Sequence, residues 1–271
     1  MLNEKKVPPR GILHIPANEP FVGLERFEPT EPLRPFIEHY WAVTWERQPG
    51  VLRETVPHPA VHLVVEPNAS QLHGVHRRRF SRAIEGTGRV LGTKFRPAGF
   101  RAFLESSVHT LTDKIVHPSI LLRPSILELE SQVVPLKSAQ SAFELVDSYL
   151  LARNPIATNE LQTVNQIVQS IADDRSLVRA ETIVERTGHS LRKLQRLFLD
   201  YVGVSPKWVI QRYRLIEAAE KIRTANAPID YVAVALELGY ADQPHFIRDF
   251  KAMVGMTPAK YRASIQICQN E

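Results

Sequence analysis

The sequence predicts an α+β fold, a small antiparallel β sandwich or barrel followed by an all-α half of seven helices. Three observations carry this. Of the 20 prolines, 16 fall before residue 160, so helix breakers are concentrated in the front of the chain. Short runs rich in strand formers alternate with turn residues from Phe36 to about Pro97. After Asn154-Pro155, apolar residues recur at helical spacing with few breaks.

A chain of 271 residues suggests about two domains, and the break at Asn154-Pro155 divides it into 1–155 and 156–271. With 44% hydrophobic and 23% charged residues it is neither disordered nor fibrous. It has no uninterrupted apolar run of about 18 residues, so no transmembrane helix is expected. The opening MLNEKKVPPRGILHIP has no apolar core long enough for a secretory signal. A lone cysteine, Cys268, cannot make an internal disulfide or a cysteine-based zinc site. These bounds lead to the expectation of a cytoplasmic protein with no membrane partner.

In the front half, the proline-rich stretch to Pro35 reads as irregular or extended. The strand candidates are FIEHYWAVTW, VLRETV, AVHLVVE and RVLGTKF. Between them lie the turn formers Gln48-Pro49-Gly50, Pro67-Asn68 and Gly86-Thr87-Gly88. A short helix is expected over 98–104 and an amphipathic one over 139–153. Phe95, Phe100 and Phe103 read as core under the short helix. Tyr40, Trp41 and Trp45 suit a core, or the wall of a small apolar pocket. Arg77, Arg78 and Arg79 cannot all face one way and read as a solvated turn.

In the back half the spacing predicts helices over 159–172, 179–187, 190–202, 206–224, 229–238, 242–254 and 258–266. Gly188, Gly203 and Gly239 stand where helices must reverse. Ser190 and Asp242 occupy cap positions, and Pro206, Pro228 and Pro258 fall in first turns. From residue 176 onward there are 14 Lys+Arg and 10 Asp+Glu, an excess of +4, against 20 and 19 before it. That modest imbalance hints at a polyanionic partner.

A short helix, a glycine turn and a longer helix occur twice, over 180–203 and 229–255. Gly188 aligns with Gly239, Leu194 with Phe246 and Phe198 with Phe250. In the first longer helix Leu191, Leu194, Leu197, Phe198, Tyr201 and Val202 form the apolar stripe. The opposite face carries Arg192, Lys193, Gln195 and Arg196, and Arg and Gln are the side chains that fork onto guanine and adenine edges. The second copy presents Gln243, His245, Ile247 and Arg248, with Lys251 further along. Ile247 takes the slot of Gln195, where an exposed apolar side chain suits a thymine methyl. The helix over 206–224 is roughly 28 Å long at about 1.5 Å per residue. A rod of that length can hold two reading helices about one DNA turn, roughly 34 Å, apart.

On the segments SLRKLQRLF (190–198), GVSPKW (203–208), RLIEAAEKI (214–222), LGYADQPHFIRDFK (238–251) and GMTPAKYR (255–262), the chain resembles the AraC/XylS-type DNA-binding module. The resemblance spans about Asn159 to Arg262. It implies a transcription regulator, activator or repressor, with two helix-turn-helix units joined by a linker helix. Its partner is double-stranded DNA, with a contact to RNA polymerase and no cofactor. Carried over by position, the base readers are Arg192, Gln195 and Arg196, then Gln243, His245 and Arg248, with Ile247 added from the repeat. The phosphate contacts, from position and charge, are Ser190, Lys193, Lys207, Arg214 and Lys251. Asp242 replaces the serine more usual at that cap. PHPAVHLVVE and GTKFRPAGFRAFL make the front half similar to a little-characterised β-rich domain found before such modules. That implies effector sensing and self-association as a homodimer.

A different class of reading starts from His58, His62 and Glu66, spaced by four, with His73 and His76 beyond. Imidazoles and a carboxylate suit a divalent metal, as in a metal-dependent, cupin-like enzyme. Yet four residues of strand separate side chains by roughly 13 Å, so hydrogen-bonded or surface histidines are the simpler expectation. No phosphate-cradling glycine loop, nucleophile elbow or zinc-hydrolase helix is present. Neither a metal nor catalysis is expected.

Overall fold

The computed structural model of the chain describes residues 2, 22–67, 69–122, 126–225 and 227–269. Most of the opening stretch therefore lies outside the described residues, and its end, Val22–Phe27, is a strand, β1. Five more strands follow: β2 (Ile37–Thr55), β3 (His62–Val65), β4 (Gln71–His73), β5 (Phe80–Phe95) and β6 (Ile115–Val116). They form one antiparallel sheet in the order β1-β2-β5-β3-β4-β6.

The expectation of evenly short strands is corrected. β2 and β5 run for 19 and 16 residues, and Gln48-Pro49-Gly50 and Gly86-Thr87-Gly88 are not loops. Gln48 pairs with Gly86 and Pro49 with Glu85, between register shifts at Trp45/Gln48 and Pro49/Val51. The turn formers are absorbed as bulges, which suit a proline without an N–H and glycines at positive φ. Gly50 and Gly86 have φ of 89° and 62°. In sequence such a bulged ribbon looks like strand, turn, strand.

Alternation along the strands gives the sheet two apolar faces. Tyr40, Ala42, Leu63 and Leu91 enter the main core, whereas Trp45, Val64, Ile84 and Val90 form a smaller cluster, with Trp41 packed at its side. Trp41 and Trp45 pair with Gly92 and Gly88 of β5. A Cβ on Gly92 would come within 2.0 Å of the Trp41 ring, so the glycine is what lets the indole lie across the neighbouring strand. Phe95, Phe100 and Phe103 pack together as expected, Phe95 edge-on to the other two, which stack on each other, around a 3-10 turn over Gly99–Phe103. A second 3-10 turn spans Val108–Leu111.

Two helices close the front half, α1 (Ile126–Val133), which the sequence did not suggest, and α2 (Ala139–Leu151). The buried Asp147 of α2 accepts bonds from the Tyr40 hydroxyl at 2.8 Å and from the Thr30 amide and hydroxyl at 3.1 and 2.6 Å. This ties the helix to the sheet.

Among the described residues seven α-helices follow: α3 (Asn159–Asp173), α4 (Ala180–Thr187), α5 (Leu191–Tyr201), α6 (Pro206–Thr224), α7 (Tyr231–Glu237), α8 (Gln243–Val254) and α9 (Pro258–Gln269). Their bounds fall within two or three residues of those read from periodicity and caps. Burial joins them unevenly. The main core runs without a gap from the sheet through α3, α4 and α5 to Val209 and Ile210 of α6. A separate core gathers Leu215, Ala218, Ala219 and Ile222 of α6 with Ala235, Phe246, Phe250, Met253 and Tyr261. No helix among the described residues is long and apolar enough to cross a membrane.

Candidate nucleic-acid interface

The interface is built from the two repeated helix pairs. Each short helix ends on a glycine: Gly188 caps α4 at φ 67°, and Gly239 follows α7 at φ 81°. A side chain there would face a strained left-handed backbone. Each longer helix then starts on a side-chain cap. The Ser190 hydroxyl accepts from the Lys193 amide at 3.2 Å, and the Asp242 carboxylate from the His245 amide at 2.7 Å. The caps lie 52 positions apart and the glycines 51, so the second copy carries one extra residue before its cap.

On α5, Leu194, Leu197 and Phe198 are buried, and Arg192, Lys193, Gln195 and Arg196 are exposed together on the opposite face. Leu191 does not join the core as expected but stays 37% exposed, because the first helical turn overhangs the packed stripe. Tyr201 is half-buried, with the Arg101 guanidinium over its ring at 5.8 Å.

On α8, Phe246, Phe250, Met253 and Val254 are buried. Arg248 and Lys251 are exposed, and Gln243 and His245 are half-covered. His245 Nε2 lies 3.4 Å from Asp249 Oδ2, and its ring meets Tyr240 edge-on at 5.3 Å. The expectation of a fully exposed Ile247 is corrected, since it packs against the second core. One turn of helix sets it between Phe246 and Phe250, near enough to the apolar stripe to lean into it.

Ser190, Lys193, Lys207 and Lys251 are exposed, but Arg214 is not available to a phosphate. Its side chain is 2% exposed. It donates to the carbonyl oxygens of Ile171 and, at 3.0 Å, Asp174, and pairs with Glu217 at 2.6 Å. Arg214 thus closes the C-terminal end of α3, where carbonyls lack helical partners. Position and charge in the sequence suggested DNA; the end of a neighbouring helix claims the side chain first.

Sequence reasoning did not find the groups that dock α5 on the front half. Arg101 Nε lies 3.3 Å from Asp200 Oδ1. The Ser107 hydroxyl donates to the Leu199 carbonyl at 3.0 Å, and Thr112 Oγ1 and His109 Nδ1 both meet the Gly203 carbonyl, at 2.6 and 2.9 Å. Each contact joins residues more than 90 positions apart, so no local pattern announces them.

The metal reading does not find its ligands together. The Glu66 carboxylate is held by the Arg82 guanidinium through both oxygens. His58 precedes β3, and His62 faces His73 across the β3–β4 pair. Among the described residues no group of three His, Cys, Asp or Glu is placed to hold an ion. Arg77 pairs with Asp113 at 2.6 Å in an exposed bend.

Two stretches match known families: residues 183–264 match a helix-turn-helix domain, and residues 25–117 a domain of unknown function (DUF6597). Over 85 residues the chain is 34% identical to the probable transcription factor PqrA of Proteus vulgaris, covering 31% of this chain and 68% of that protein. It is 34% identical over 101 residues to the multiple antibiotic resistance protein MarA of Escherichia coli strain K12, covering 37% of this chain and 78% of MarA. Among solved structures, the C-terminal domain of AraT, a response regulator from Geobacillus stearothermophilus, is similar at 27% identity. That likeness covers 37% of this chain and 84% of that one, with a TM-score of 0.33. Fold and matches together define a DNA-binding transcriptional regulator of the helix-turn-helix class. The chain belongs to the AraC/XylS family, with the domain of unknown function in front of the helix-turn-helix module.

Proposed function

We propose that the chain reads a specific DNA site with α5 and α8 in successive major grooves and that the front half, 1–155, tunes this in response to an effector. The helices of 156–271 form the DNA-binding unit. The observation that carries the reading is the division of α6, whose early residues Val209 and Ile210 belong to the main core and whose later ones, Leu215 to Ile222, belong to the second. One 19-residue helix is thereby anchored in both reader units and sets the distance between them. Arg192, Gln195 and Arg196 of α5, and Gln243, His245, Arg248 and the edge of Ile247 on α8, are the base readers. Ser190, Lys193, Lys207 and Lys251 meet phosphates. In this reading the protein acts on chromosomal DNA in the cytoplasm, touches RNA polymerase there, self-associates through its front half and catalyses no reaction.

Footprinting on a selected operator tests it. Two protected major-groove segments about one turn, roughly 34 Å, apart are expected on one face of the duplex. Arg196→Ala should cost about 1–3 kcal/mol on the operator and relax base preference at one position. Lys251→Ala should weaken all sequences alike and lower the salt slope by about 0.9. Protection of a single groove segment, or indistinguishable behaviour of the two variants, overturns the division of roles.

A further inference from the structure

On the sheet face that carries Trp41, beside α6, lies a group of polar side chains that the DNA reading does not use. His62 of β3 and Lys94 of β5 are register partners, and Trp41 stands edge-on to His62 with ring centroids 6.3 Å apart. Lys94 Nζ pairs with Glu38 Oε1 at 2.9 Å, and His39 Nδ1 lies 3.5 Å from the same oxygen. From the other side comes α6. Its Arg212, only 4% exposed, donates through Nε to the Pro57 carbonyl beside His58, and its Nη2 has no partner among the described residues.

His58 and His62 are half-buried, each keeping part of its surface uncovered. Neither imidazole makes a hydrogen bond among the described residues. Two part-covered rings without hydrogen bonds, beside the buried Arg212 with its unpartnered Nη2, leave polar donors open in a recess between the sheet and α6, whereas buried polar groups normally find partners. Burial first, and then the charge of Lys94, holds both rings neutral, His62 at about 3 and His58 well below the ordinary histidine value. Each ring therefore offers one N–H donor and one acceptor.

The recess has a sign. Lys94 and Arg212 bring two positive charges to the surroundings of the single Glu38 carboxylate. Tyr213, which follows Arg212 on α6, also feels the Asp173 carboxylate, and that one is exposed to solvent. An excess of cations with unused N–H donors favours an anion over a cation or a neutral polyol, and the indole of Trp41 supplies an apolar wall.

We propose that this recess binds a small organic monoanion, a carboxylate on a flat or apolar body. The carboxylate meets the N–H groups of His58 and His62 beside Lys94, and the body lies against Trp41. Because Arg212 belongs to the helix anchored in both reader units, an anion beside it acts on α6. That consequence rests on the DNA reading above, whereas the binding does not.

The test uses the full chain without DNA. Thermal midpoint and tryptophan emission are followed on titration to about 10 mM, above the millimolar range of weak ligands. The probes are benzoate, hexanoate and acetate, with benzamide and hexanamide as neutral controls. A saturable rise in midpoint with benzoate or hexanoate, and none with the amides, is expected. Lys94→Met and His62→Gln should each weaken that binding at least 10-fold, and Arg78→Ala, which removes an exposed cation of the same sheet domain, should not. Should either variant fail to fold, imidazole NMR signals of the unaltered protein provide the second measurement. Those of His58 and His62 must shift with the carboxylate and stay still with the amide. No response to any carboxylate, equal response to the amides, or undiminished binding in the folded variants overturns the site. Operator affinity measured with and without the carboxylate separates the two claims. Binding with unchanged DNA affinity overturns the coupling through Arg212, whereas absence of any preferred DNA sequence overturns the DNA reading and leaves the recess standing.

Discussion

Replacing Arg214 separates a structural cation from a DNA-binding one. Arg214→Ala removes donors from two backbone carbonyls, those of Ile171 and Asp174, and from the Glu217 carboxylate. Bonds from a charged donor are worth about 1.5–3 kcal/mol each, and breaking a buried ion pair costs about 3–5 kcal/mol. Glu217 is not stranded, because the largely exposed Arg175 reaches its other oxygen at 3.0 Å. Discounting the ion pair for that reason leaves the two carbonyl bonds, a loss of about 3–6 kcal/mol. At about 2–4 °C per kcal/mol that lowers the melting temperature by about 6–24 °C. The assay pairs thermal unfolding with operator binding at several salt concentrations, below the melting range. A folded Arg214→Ala protein should keep the slope of log affinity against log salt, since no phosphate contact is lost. An unchanged melting temperature together with a slope lowered by about 0.9 would show that the side chain serves DNA, and the structural assignment would fail.

Two other outcomes follow from buried polar groups. Asp147→Ala strands the buried Tyr40 hydroxyl and releases the exposed Thr30, so denaturant unfolding should show a loss of about 1–3 kcal/mol; a loss under about 0.5 kcal/mol would contradict the burial of the Tyr40–Asp147 pair. His62 and His73 are held neutral, at about 3 and about 4, chiefly by burial. The unfolded chain therefore binds more protons between those values and the ordinary histidine pKa of about 6.5. Stability is fully present above about pH 6.5 and is lost as pH falls toward about 4. Unfolding free energy measured from pH 7 to pH 4 should decline less in His62→Gln than in the parent chain, and parallel curves would refute the assignment.

What was legible in the sequence follows the range of the forces involved. The helical half could be read because its signals are local. Ser190 and Asp242 cap within three residues, and the glycines after α4 and α7 mark the reversals. The ribbon of β2 and β5 could not, because Phe80 to Gly88 mixes polar residues and glycines with few strand formers and pairs with residues 25 to 43 positions away. α1 spans only Ile126–Val133, too short for its period to stand out. On the interface, α5's exposed face followed directly from 3.6-residue spacing, and the half-burial of Ile247 did not, since it depends on the second core. Arg214 carried one legible warning: Glu217 stands three residues on, the spacing of an ion pair along one helix face.

The two reader units differ in what holds them, and the difference is measurable. α8 rests on a core shared with α6, α9 and Val56 of the front half, while α5 is held to the front half by side-chain bonds to the Gly203 carbonyl. That carbonyl accepts from Thr112 Oγ1 at 2.6 Å and from His109 Nδ1 at 2.9 Å, two donors on one oxygen of a buried glycine. Thr112→Val or His109→Ala alone leaves the acceptor satisfied, so each should cost only about 0.5–1.5 kcal/mol. Both together leave a buried carbonyl without a side-chain donor, and the double variant should exceed the sum of the singles by about 1 kcal/mol. The same double variant should weaken discrimination at bases read by Arg192, Gln195 and Arg196 more than at those read from α8, because the bonded carbonyl lies just past the end of α5. Strict additivity in denaturant unfolding, or equal loss at both half-sites, would mean that the front half does not hold the first reader in place.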